Sequence, residues 1–300
     1  MKRVGIIGLG TITKHYLAGL KESSILKLTA VCDCLENAPS RDLYSAYKFY
    51  ADYREMITTE ALDYIIISTP PATHYEIAEY ALSHEVNVIV EKPAVLCMSE
   101  YDELLKLAQK NSLIFEVMFH WQNGSEIIKF GELYDIGKIS EIYVTVLDPY
   151  SADGITIDDA KVKLEGAWID SGVNILSMIG LWLSFDNVVV NNIDVQKCKK
   201  TGLPIFVSVD MCIDGVKTNI VVDWRKHMDN KSTRIVYEGR RIDINNSAQR
   251  IEDGNNIVDC YHMERLPQHY YNYFKNYSEQ PDVDLSRDIH RVLTEVAAKL

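Results

Sequence analysis

Residues 86–93 read Val-Asn-Val-Ile-Val-Glu-Lys-Pro, and this stretch decides the fold that we predict. Its first part is mostly β-branched and apolar, which is typical of a strand buried on both faces of a parallel sheet. The strand ends at Glu91, Lys92 and Pro93. Ligands bind at the carboxyl ends of strands in an open α/β sheet, so Lys92 is placed for chemistry by its position. The same position also suits an ordinary solvated lysine, and the rest of the chain decides between the two.

The composition predicts a soluble globular protein with two domains. The chain has 300 residues, 47% of them hydrophobic and 25% charged,. The net charge of -12 disfavours nucleic acid and anionic membrane surfaces, because both require clustered Lys and Arg,. No apolar run approaches the roughly 18 residues that a membrane span needs, and the cysteines lack the spacing of a zinc site. We therefore expect a cytoplasmic protein with reduced cysteines and no metal.

A glycine turn follows the first predicted strand, residues 4–7. It reads Gly8-Leu9-Gly10, and helical periodicity begins after it. In such a strand–turn–helix unit, the first glycine makes the tight turn and the second lets the backbone approach a pyrophosphate. Thr13 stands where the GxGxxG pattern has its third glycine. The motif alone is therefore weak evidence for dinucleotide binding.

An acidic residue, Asp33, ends the second predicted strand, residues 28–32. A carboxylate at this place accepts both ribose hydroxyls of NAD, whereas the 2′-phosphate of NADP requires a basic neighbour. Residues 34–37 include no basic side chain, although Arg41 is close enough to reach back. NAD is therefore favoured over NADP.

The alternation of strands and helices continues to about residue 122. Six strands with crossover helices predict a doubly wound parallel sheet. After the fourth strand, residues 68–74 form a rigid Ser-Thr-Pro-Pro-Ala-Thr-His turn with exposed hydroxyls beside the expected cofactor site,. His74 is interpreted either as an ordinary helix N-terminal residue or as a residue on the cofactor side.

The pattern changes after Gln122, where long β-rich runs begin. Turns between these runs predict a mainly antiparallel sheet. We therefore predict an α/β dinucleotide-binding domain over residues 1–122, and an α+β domain for substrate binding and oligomerisation over residues 123–300. The last helix is a candidate to pack back on the first domain. The β-rich runs cover residues 139–147, 188–195, 205–213 and 217–224.

An apolar helix is predicted over residues 168–183, which begin Trp-Ile-Asp-Ser-Gly-Val-Asn. If helical geometry starts near Asp170, then Asp170 and Asn174 are four residues apart and lie on one face. Two polar side chains would then point toward one site. Asp170 is equally well interpreted as a helix cap.

Together these motifs resemble the glucose-fructose oxidoreductase, inositol dehydrogenase and MocA (Gfo/Idh/MocA) family over essentially the whole chain. The resemblance implies a nicotinamide-dependent oxidoreductase with an N-terminal Rossmann domain and a C-terminal α+β domain. The open sheet of the second domain often mediates oligomers in this family, so we expect a homodimer or a homotetramer. The matching motifs are Gly8-Leu9-Gly10, Thr69-Pro70-Pro71 with His74, Glu91-Lys92-Pro93, and Asp170 with Asn174.

Within the family, the chain is most similar to the aldose 1-dehydrogenases that act on galactose and arabinose. Asn174 stands where much of the family has a histidine, and Phe119-His120, Asp223-Trp224-Arg225 and residues 282–285 also match this subgroup. Two features depart from it: Ser171 replaces a usual proline, and the loop 151–164 lacks a tryptophan that helps cover the sugar. The implied reaction is oxidation of an aldose at C1 to a lactone.

The resemblance also implies roles for single residues. Lys92 and Asp170 jointly accept the hydroxyl proton while hydride leaves the carbinol carbon, and Asn174 anchors the substrate. Trp224 is interpreted either as a platform that stacks on an apolar sugar face or as a core residue. The predicted cofactor contacts are Gly8, Gly10, Thr11, Ile12, Asp33, Ser68, Thr69, Pro70, His74, Glu91, Lys92 and Pro93. The predicted substrate contacts are Lys92, His120, Asp148, Asp170, Asn174 and Trp224.

Three other functions stay open. The first is oxidation of an inositol, another polyol or a sugar nucleotide at a carbon other than C1. The second is an NAD-binding regulator without turnover, which the presence of both Lys92 and Asp170 argues against. The third is reduction of a non-sugar substrate such as a tetrapyrrole.

Overall fold

The computed structural model describes residues 1–151 and 153–300, which divide into two compact units. The first unit contains Met1–Phe119 and His269–Asp284, and the second contains His120–Gln268 and Leu285–Leu300. The segment His269–Asp284 thus packs with the N-terminal residues, although in the chain it lies between the two segments of the second unit.

The first unit is built on six parallel strands in the order β3-β2-β1-β4-β5-β6, which confirms the predicted doubly wound sheet. The central strands are rich in Ile and Val because both of their faces are buried; Ile66 and Ile89 are each 0% exposed,. The strand order reverses between β1 and β4, so ligands are expected at their carboxyl ends. The strands are β1 (Lys2–Ile7), β2 (Leu26–Cys32), β3 (Lys48–Tyr50), β4 (Tyr64–Ile67), β5 (Asn87–Glu91) and β6 (Phe115–Met118).

Helices connect these strands, and a 3-10 turn, Thr11–His15, separates the glycine turn from the first helix. The sequence predicted regular helical periodicity directly after the glycines, and the 3-10 turn replaces its first part. The helices are α1 (Tyr16–Glu22), α2 (Tyr53–Thr59), α3 (His74–Ser83) and α4 (Met98–Lys110).

The second unit contains an eight-stranded mixed sheet in the order β14-β13-β12-β11-β7-β10-β9-β8. Strands β7 and β10 pair in parallel and the other pairings are antiparallel, so the mainly antiparallel sheet is confirmed. Strands β11–β14 were not predicted. The strands are β7 (Ile139–Leu147), β8 (Val188–Lys197), β9 (Pro204–Ile213), β10 (Val216–Asp223), β11 (Asn230–Tyr237), β12 (Arg240–Asn245), β13 (Arg250–Asp253) and β14 (Asn256–Asp259).

The remaining helices include one correction to the sequence interpretation. The apolar helix predicted to reach Leu183 ends at Ile179, because Gly180 is a poor helix former and a turn follows it,. The helices are α5 (Ser125–Leu133), α6 (Asp159–Val162), α7 (Val173–Ile179), α8 (Arg265–Lys275) and α9 (Val283–Ala297). Within the described residues, no helix combines the length and apolarity that crossing a membrane requires.

Candidate functional site

The glycine turn after β1 leaves open space beside its second glycine. Gly8 has a φ of +94°, and a Cβ added there would lie 2.8 Å from the main chain of Ser68. Gly8 is therefore required by the fold itself. A Cβ added at Gly10 would meet nothing within 4 Å in the part of the chain that the structure describes. The absence of a side chain at Gly10 thus suits a ligand that approaches the backbone closely.

Two buried hydroxyls fix the glycine turn to the end of β4. Ser68 Oγ donates to the carbonyl oxygen of Gly8 at 2.8 Å, and Thr13 Oγ1 donates to the same oxygen at 3.0 Å. Thr13, which stands where the GxGxxG pattern has its third glycine, therefore stabilises the glycine turn. Ser68 corrects the prediction of an exposed hydroxyl, because its side chain is buried between Gly8 and Thr13.

Asp33 lies half-buried at the end of β2 and contacts the same turn. Its Oδ2 accepts a hydrogen bond from the N–H of Leu9 at 2.7 Å, and its Oδ1 accepts one from the N–H of Leu35 at 2.8 Å. Each carboxylate oxygen has a further lone pair that can accept a ribose hydroxyl. Arg41, which seemed able to reach back, lies over the ring of Phe49 with its guanidinium carbon 4.3 Å from the ring centroid.

These residues fit an adenine dinucleotide. The open space at Gly10 admits a pyrophosphate against the backbone, and Asp33 provides the acceptor for a ribose,. Thr11 is exposed and Ile12 is half-buried in the 3-10 turn that follows the glycines.

His74 is fully buried at the start of α3 and links two loops. Its Nδ1 lies 2.9 Å from the carbonyl oxygen of Pro93, and its Nε2 lies 2.8 Å from that of Thr69. Burial lowers the pKa of His74, and the two carbonyl contacts oppose this. The imidazole therefore links the main chain of the half-buried Thr69, which precedes the exposed Pro70, to the carbonyl group of Pro93, the residue after Lys92.

Glu91 is buried at the end of β5 and is held by two tyrosines. Its Oε1 accepts hydrogen bonds from the hydroxyls of Tyr16 and Tyr270, the second at 2.6 Å. Burial raises the pKa of Glu91, and the two tyrosine hydrogen bonds oppose the rise. The Glu91 side chain thus ties α1 and α8 to the strand that ends at Lys92. Lys92 is half-buried, and its N–H lies 3.2 Å from Glu91 Oε2.

In the second unit, Asp170 lies in a π-helical turn, Trp168–Gly172, that leads into α7. π-helical turns are rare in proteins, and many of those that occur lie at functional sites. Close packing accompanies the turn here: a Cβ added at Gly172 would lie 2.8 Å from the Trp168 ring, and Trp168 Nε1 donates to the carbonyl oxygen of Leu293 at 3.0 Å. The regular helix predicted here is therefore replaced by a wider turn around Asp170.

Asn174 is buried beside Asp170 and has an unused acceptor. Its Nδ2 donates to the main-chain oxygen of Asp170 at 3.2 Å, which brings the two residues together. Its Oδ1 is buried and has no hydrogen-bond partner among the residues that the structure describes. Because buried polar atoms are nearly always paired, this oxygen marks a place where a ligand donor fits.

His120 is buried and begins a 3-10 turn, His120–Asn123, that packs on α7. The Nε2 of Gln122 in this turn donates to the main-chain oxygen of Ser177 in α7 at 3.1 Å. The turn therefore places His120 close to the helix that carries Asn174.

Asp148 was predicted to contact the substrate, but the structure shows protein partners for both of its oxygens. Oδ1 lies 2.7 Å from Lys231 Nζ, and Oδ2 accepts a hydrogen bond from Ser171 Oγ at 3.2 Å. Lys231 was missed because lysines are seldom buried. Period-two alternation along β11 was the available cue, because it puts Lys231 on the same buried face as Thr233 and Ile235.

Trp224 was interpreted either as a platform for a sugar or as a core residue, and its burial favours the core residue. Its side chain is 0% exposed, whereas stacking on a ligand needs an accessible ring face,. It packs against Tyr150 with ring centroids 5.1 Å apart. Tyr150, which sequence reasoning missed, is half-buried, and its pKa is raised by burial and by the charges of Asp170 and Asp148.

The first unit matches a known protein family. Residues 2–119 match the GFO_IDH_MocA model, which describes an oxidoreductase family with an NAD-binding Rossmann fold. An uncharacterised oxidoreductase of Bacillus subtilis, YfiI, is 26% identical over 180 residues, which cover 55% of this chain and 46% of that protein. Inositol 2-dehydrogenase of Salmonella typhimurium is 25% identical over 144 residues, which cover 46% of this chain and 43% of the enzyme. The chain thus spans less than half the length of these curated relatives.

The fold of the whole chain is also found among solved structures. UDP-N-acetylglucosamine 3-dehydrogenase from Acidithiobacillus ferrooxidans has a TM-score of 0.79 at 18% identity, covering 100% of this chain and 97% of that one. At this identity the likeness is one of fold.

Proposed function

We propose that this chain is a nicotinamide-dependent dehydrogenase. It oxidises a sugar carbinol, preferably C1 of an aldose, to a lactone. Through residues 2–119 the chain belongs to the Gfo/Idh/MocA oxidoreductase family. The observation that carries the proposal is the buried, unpartnered Oδ1 of Asn174 beside Asp170, within the described residues. A sugar hydroxyl supplies the missing donor. An apolar substrate would leave the acceptor unpaired, at a cost of about 1–3 kcal/mol.

NAD is the proposed cofactor and NADP the alternative. Either cofactor, when bound, would supply a nicotinamide ring that accepts the hydride from the carbinol carbon. Gly10 would let the pyrophosphate approach the backbone, and Asp33 would accept the ribose hydroxyls. Support for NAD comes from Arg41, which lies over Phe49. Asp33→Ala should reduce kcat/KM for NAD far more than for NADP, and an equal loss for both would contradict the preference.

We assign the proton transfer to Lys92 and Asp170 as a pair. Removal of the hydroxyl proton must accompany hydride loss, because the carbonyl product otherwise remains protonated. An amine and a carboxylate can share this task. Asn174 would orient the substrate hydroxyl by accepting its hydrogen bond.

A spectrophotometric screen tests the reaction. The full chain is mixed with aldoses, inositols, keto sugars and sugar nucleotides, each with NAD and NADP in both directions, and nicotinamide absorbance is followed. Lactone formation from an aldose supports the proposal. A ketone from an inositol would replace it with polyol oxidation, the activity named for the Salmonella relative. Cofactor binding without turnover on any substrate would indicate a non-catalytic regulator.

A second candidate, a sugar-nucleotide dehydrogenase, is favoured by Arg265. Its Nη1 is buried without a partner in the described part of the chain, and its guanidinium carbon lies 5.7 Å from the Trp121 ring centroid. A guanidinium pairs well with phosphate oxygens. If this candidate is right, Arg265→Met will raise KM for a sugar nucleotide but leave KM for neutral aldoses unchanged.

The proposal includes a cytoplasmic homodimer or homotetramer. Reduced thiols support the compartment, because all six cysteines are free,. Apolar side chains on one half-exposed face of the second unit's sheet, among them Tyr143, Phe206 and Val221, support an oligomer. Light scattering measures the subunit number, and a monomer at micromolar concentration would contradict this part.

A further inference from the structure

Lys231 is a buried lysine that the proposed chemistry does not use. It lies on β11, is 5% exposed, and places its Nζ 2.7 Å from Oδ1 of the equally buried Asp148. The ammonium also contacts Asp229, which is largely exposed. A buried ammonium is costly unless it is paired, and the ion pair with Asp148 meets this requirement for Lys231.

The pair extends to the turn that carries Asp170. The second oxygen of Asp148 accepts a hydrogen bond from Ser171 Oγ at 3.2 Å, and Ser171 is 4% exposed. Ser171 directly follows Asp170 in the π-helical turn. Three separate parts of the second unit are thus connected, namely β11 through Lys231, the end of β7 through Asp148, and the turn through Ser171.

The π-helical turn is a rare conformation, and side-chain contacts from outside it help to hold it. At its start, Asp170 N donates to the Gly166 carbonyl oxygen at 3.1 Å,. The Asp148 carboxylate also puts a negative charge near Asp170, because it accepts a hydrogen bond from Ser171, the next residue in the chain. The Lys231 ammonium offsets that charge.

We propose that Lys231 is a positioning residue for the reaction: through Asp148 and Ser171 it holds the π-helical turn in the geometry that presents Asp170 and Asn174 to the substrate. This inference rests on the proposed function. It gives Asp148 a role behind the site instead of in contact with the sugar. It also gives a role to Ser171, the residue that departs from the proline of the aldose dehydrogenases.

Two substitutions and a control test the chain of contacts. Ser171→Ala removes the link to the turn and leaves the Lys231–Asp148 pair intact, whereas Lys231→Met removes the cation. Each should lower kcat by about 10- to 100-fold, with KM for the sugar changed less than threefold and the dissociation constant for NAD unchanged. Lys200→Met, which removes an exposed ion pair with Asp159 in the same unit, should leave all three constants unchanged.

The double variant separates positioning from simple stabilisation. If both residues act through one chain of contacts, Ser171→Ala combined with Lys231→Met will be no slower than the slower single variant. Losses that multiply would overturn the proposal, as would a wild-type kcat in Ser171→Ala. Should Lys231→Met fail to fold, Ser171→Ala with Asp148→Asn provides the same cycle.

Hydrogen exchange gives a readout that needs no activity. Amides of residues 168–172 should exchange at least about tenfold faster in Ser171→Ala than in wild type, while those of β9 and β10 stay unchanged. Unchanged exchange at residues 168–172 would overturn the positioning role whatever the enzyme does. If exchange rises but wild type oxidises no sugar, the proposed reaction fails and the structural link stands.

Discussion

Lys92 is assigned to proton transfer and is also a predicted cofactor contact, and a substitution distinguishes the two roles. Lys92→Ala removes a group assigned to proton transfer and leaves the glycine turn and Asp33 in place. We expect kcat to fall by about 10²- to 10⁴-fold on the true substrate, while the dissociation constant for NAD, measured by calorimetry, changes by less than about tenfold, because Lys92 is only one of several predicted cofactor contacts. Lys21→Ala, an exposed lysine on α1, is the matched control and should keep full activity. Unchanged turnover in Lys92→Ala would refute the assignment.

The two glycines of the turn should respond differently to the same added methyl group. Gly10→Ala places its Cβ in open space, so we expect unchanged thermal stability and an NAD affinity that is lower by about tenfold or more,. Gly8→Ala forces a Cβ against the main chain of Ser68 at a positive φ, and should destabilise the protein by about 1–3 kcal/mol,. Calorimetric titration and thermal melts distinguish the two. Full NAD affinity in Gly10→Ala would place the pyrophosphate elsewhere.

The site residues were predictable where they follow one another in sequence, and were missed where a distant contact defines them. Lys92 and Gly8 sit at strand ends, which local patterns locate well. The burial of Lys231 instead depends on Asp148, which lies 83 residues earlier in the chain. For Trp224 the sequence left two interpretations open, because an aromatic residue at a strand end is compatible with a ligand platform and with the core.

At the scale of elements, α1 packs on α8 through a glycine. A Cβ added at Gly19 would lie 2.7 Å from both the Phe274 ring and the main-chain oxygen of Tyr270. Gly19→Ala should therefore destabilise the protein by about 1–3 kcal/mol, despite the higher helix propensity of alanine. Gly131→Ala in α5, where the added Cβ meets nothing within 4 Å in the described structure, should instead stabilise it by about 0.5–1 kcal/mol,. Urea unfolding of both variants measures the contrast, and equal effects would contradict it.

The two sheets also differ in how well the sequence predicted them. Strand β5 was recognised because the β-branched residues Val88, Ile89 and Val90 lie directly before Glu91-Lys92-Pro93, which leaves few alternatives. Strand β12 reads Arg-Arg-Ile-Asp-Ile-Asn and was missed, because its strand state comes from pairing with β11 and β13 and not from its own composition,. The sequence predicts an ordinary helix at the π-helical turn Trp168–Gly172, because the turn's contacts with Leu293 and Asp148 come from distant parts of the chain that a local pattern does not show.

At the scale of the whole molecule, a buried acid makes stability depend on pH. Glu126 in α5 is 1% exposed, and burial raises its pKa to about 7, against a hydrogen bond from Asn246 and the charge of Arg265. The unfolded chain releases this proton near its ordinary pKa of 4.5. Between these two values the folded state holds a proton that the unfolded state has lost. This group therefore makes stability fall as pH rises from 4.5 to 7, by up to about 3 kcal/mol, and adds no further change above pH 7.

Glu126→Gln removes this titration while keeping an oxygen for Asn246. Relative to wild type, the variant should gain stability steadily from pH 4.5 to pH 7, and the difference should then stay constant. The amide nitrogen adds a fixed cost where it lacks a partner, so the slope with pH is the test, and the absolute difference is not. Glu132→Gln, an exposed position on the same helix, is the control and should run parallel to wild type. Urea unfolding at several pH values provides the measurement. Parallel curves for Glu126→Gln and wild type would mean that Glu126 is already charged in the folded protein, and that Arg265 and Asn246 together offset its burial.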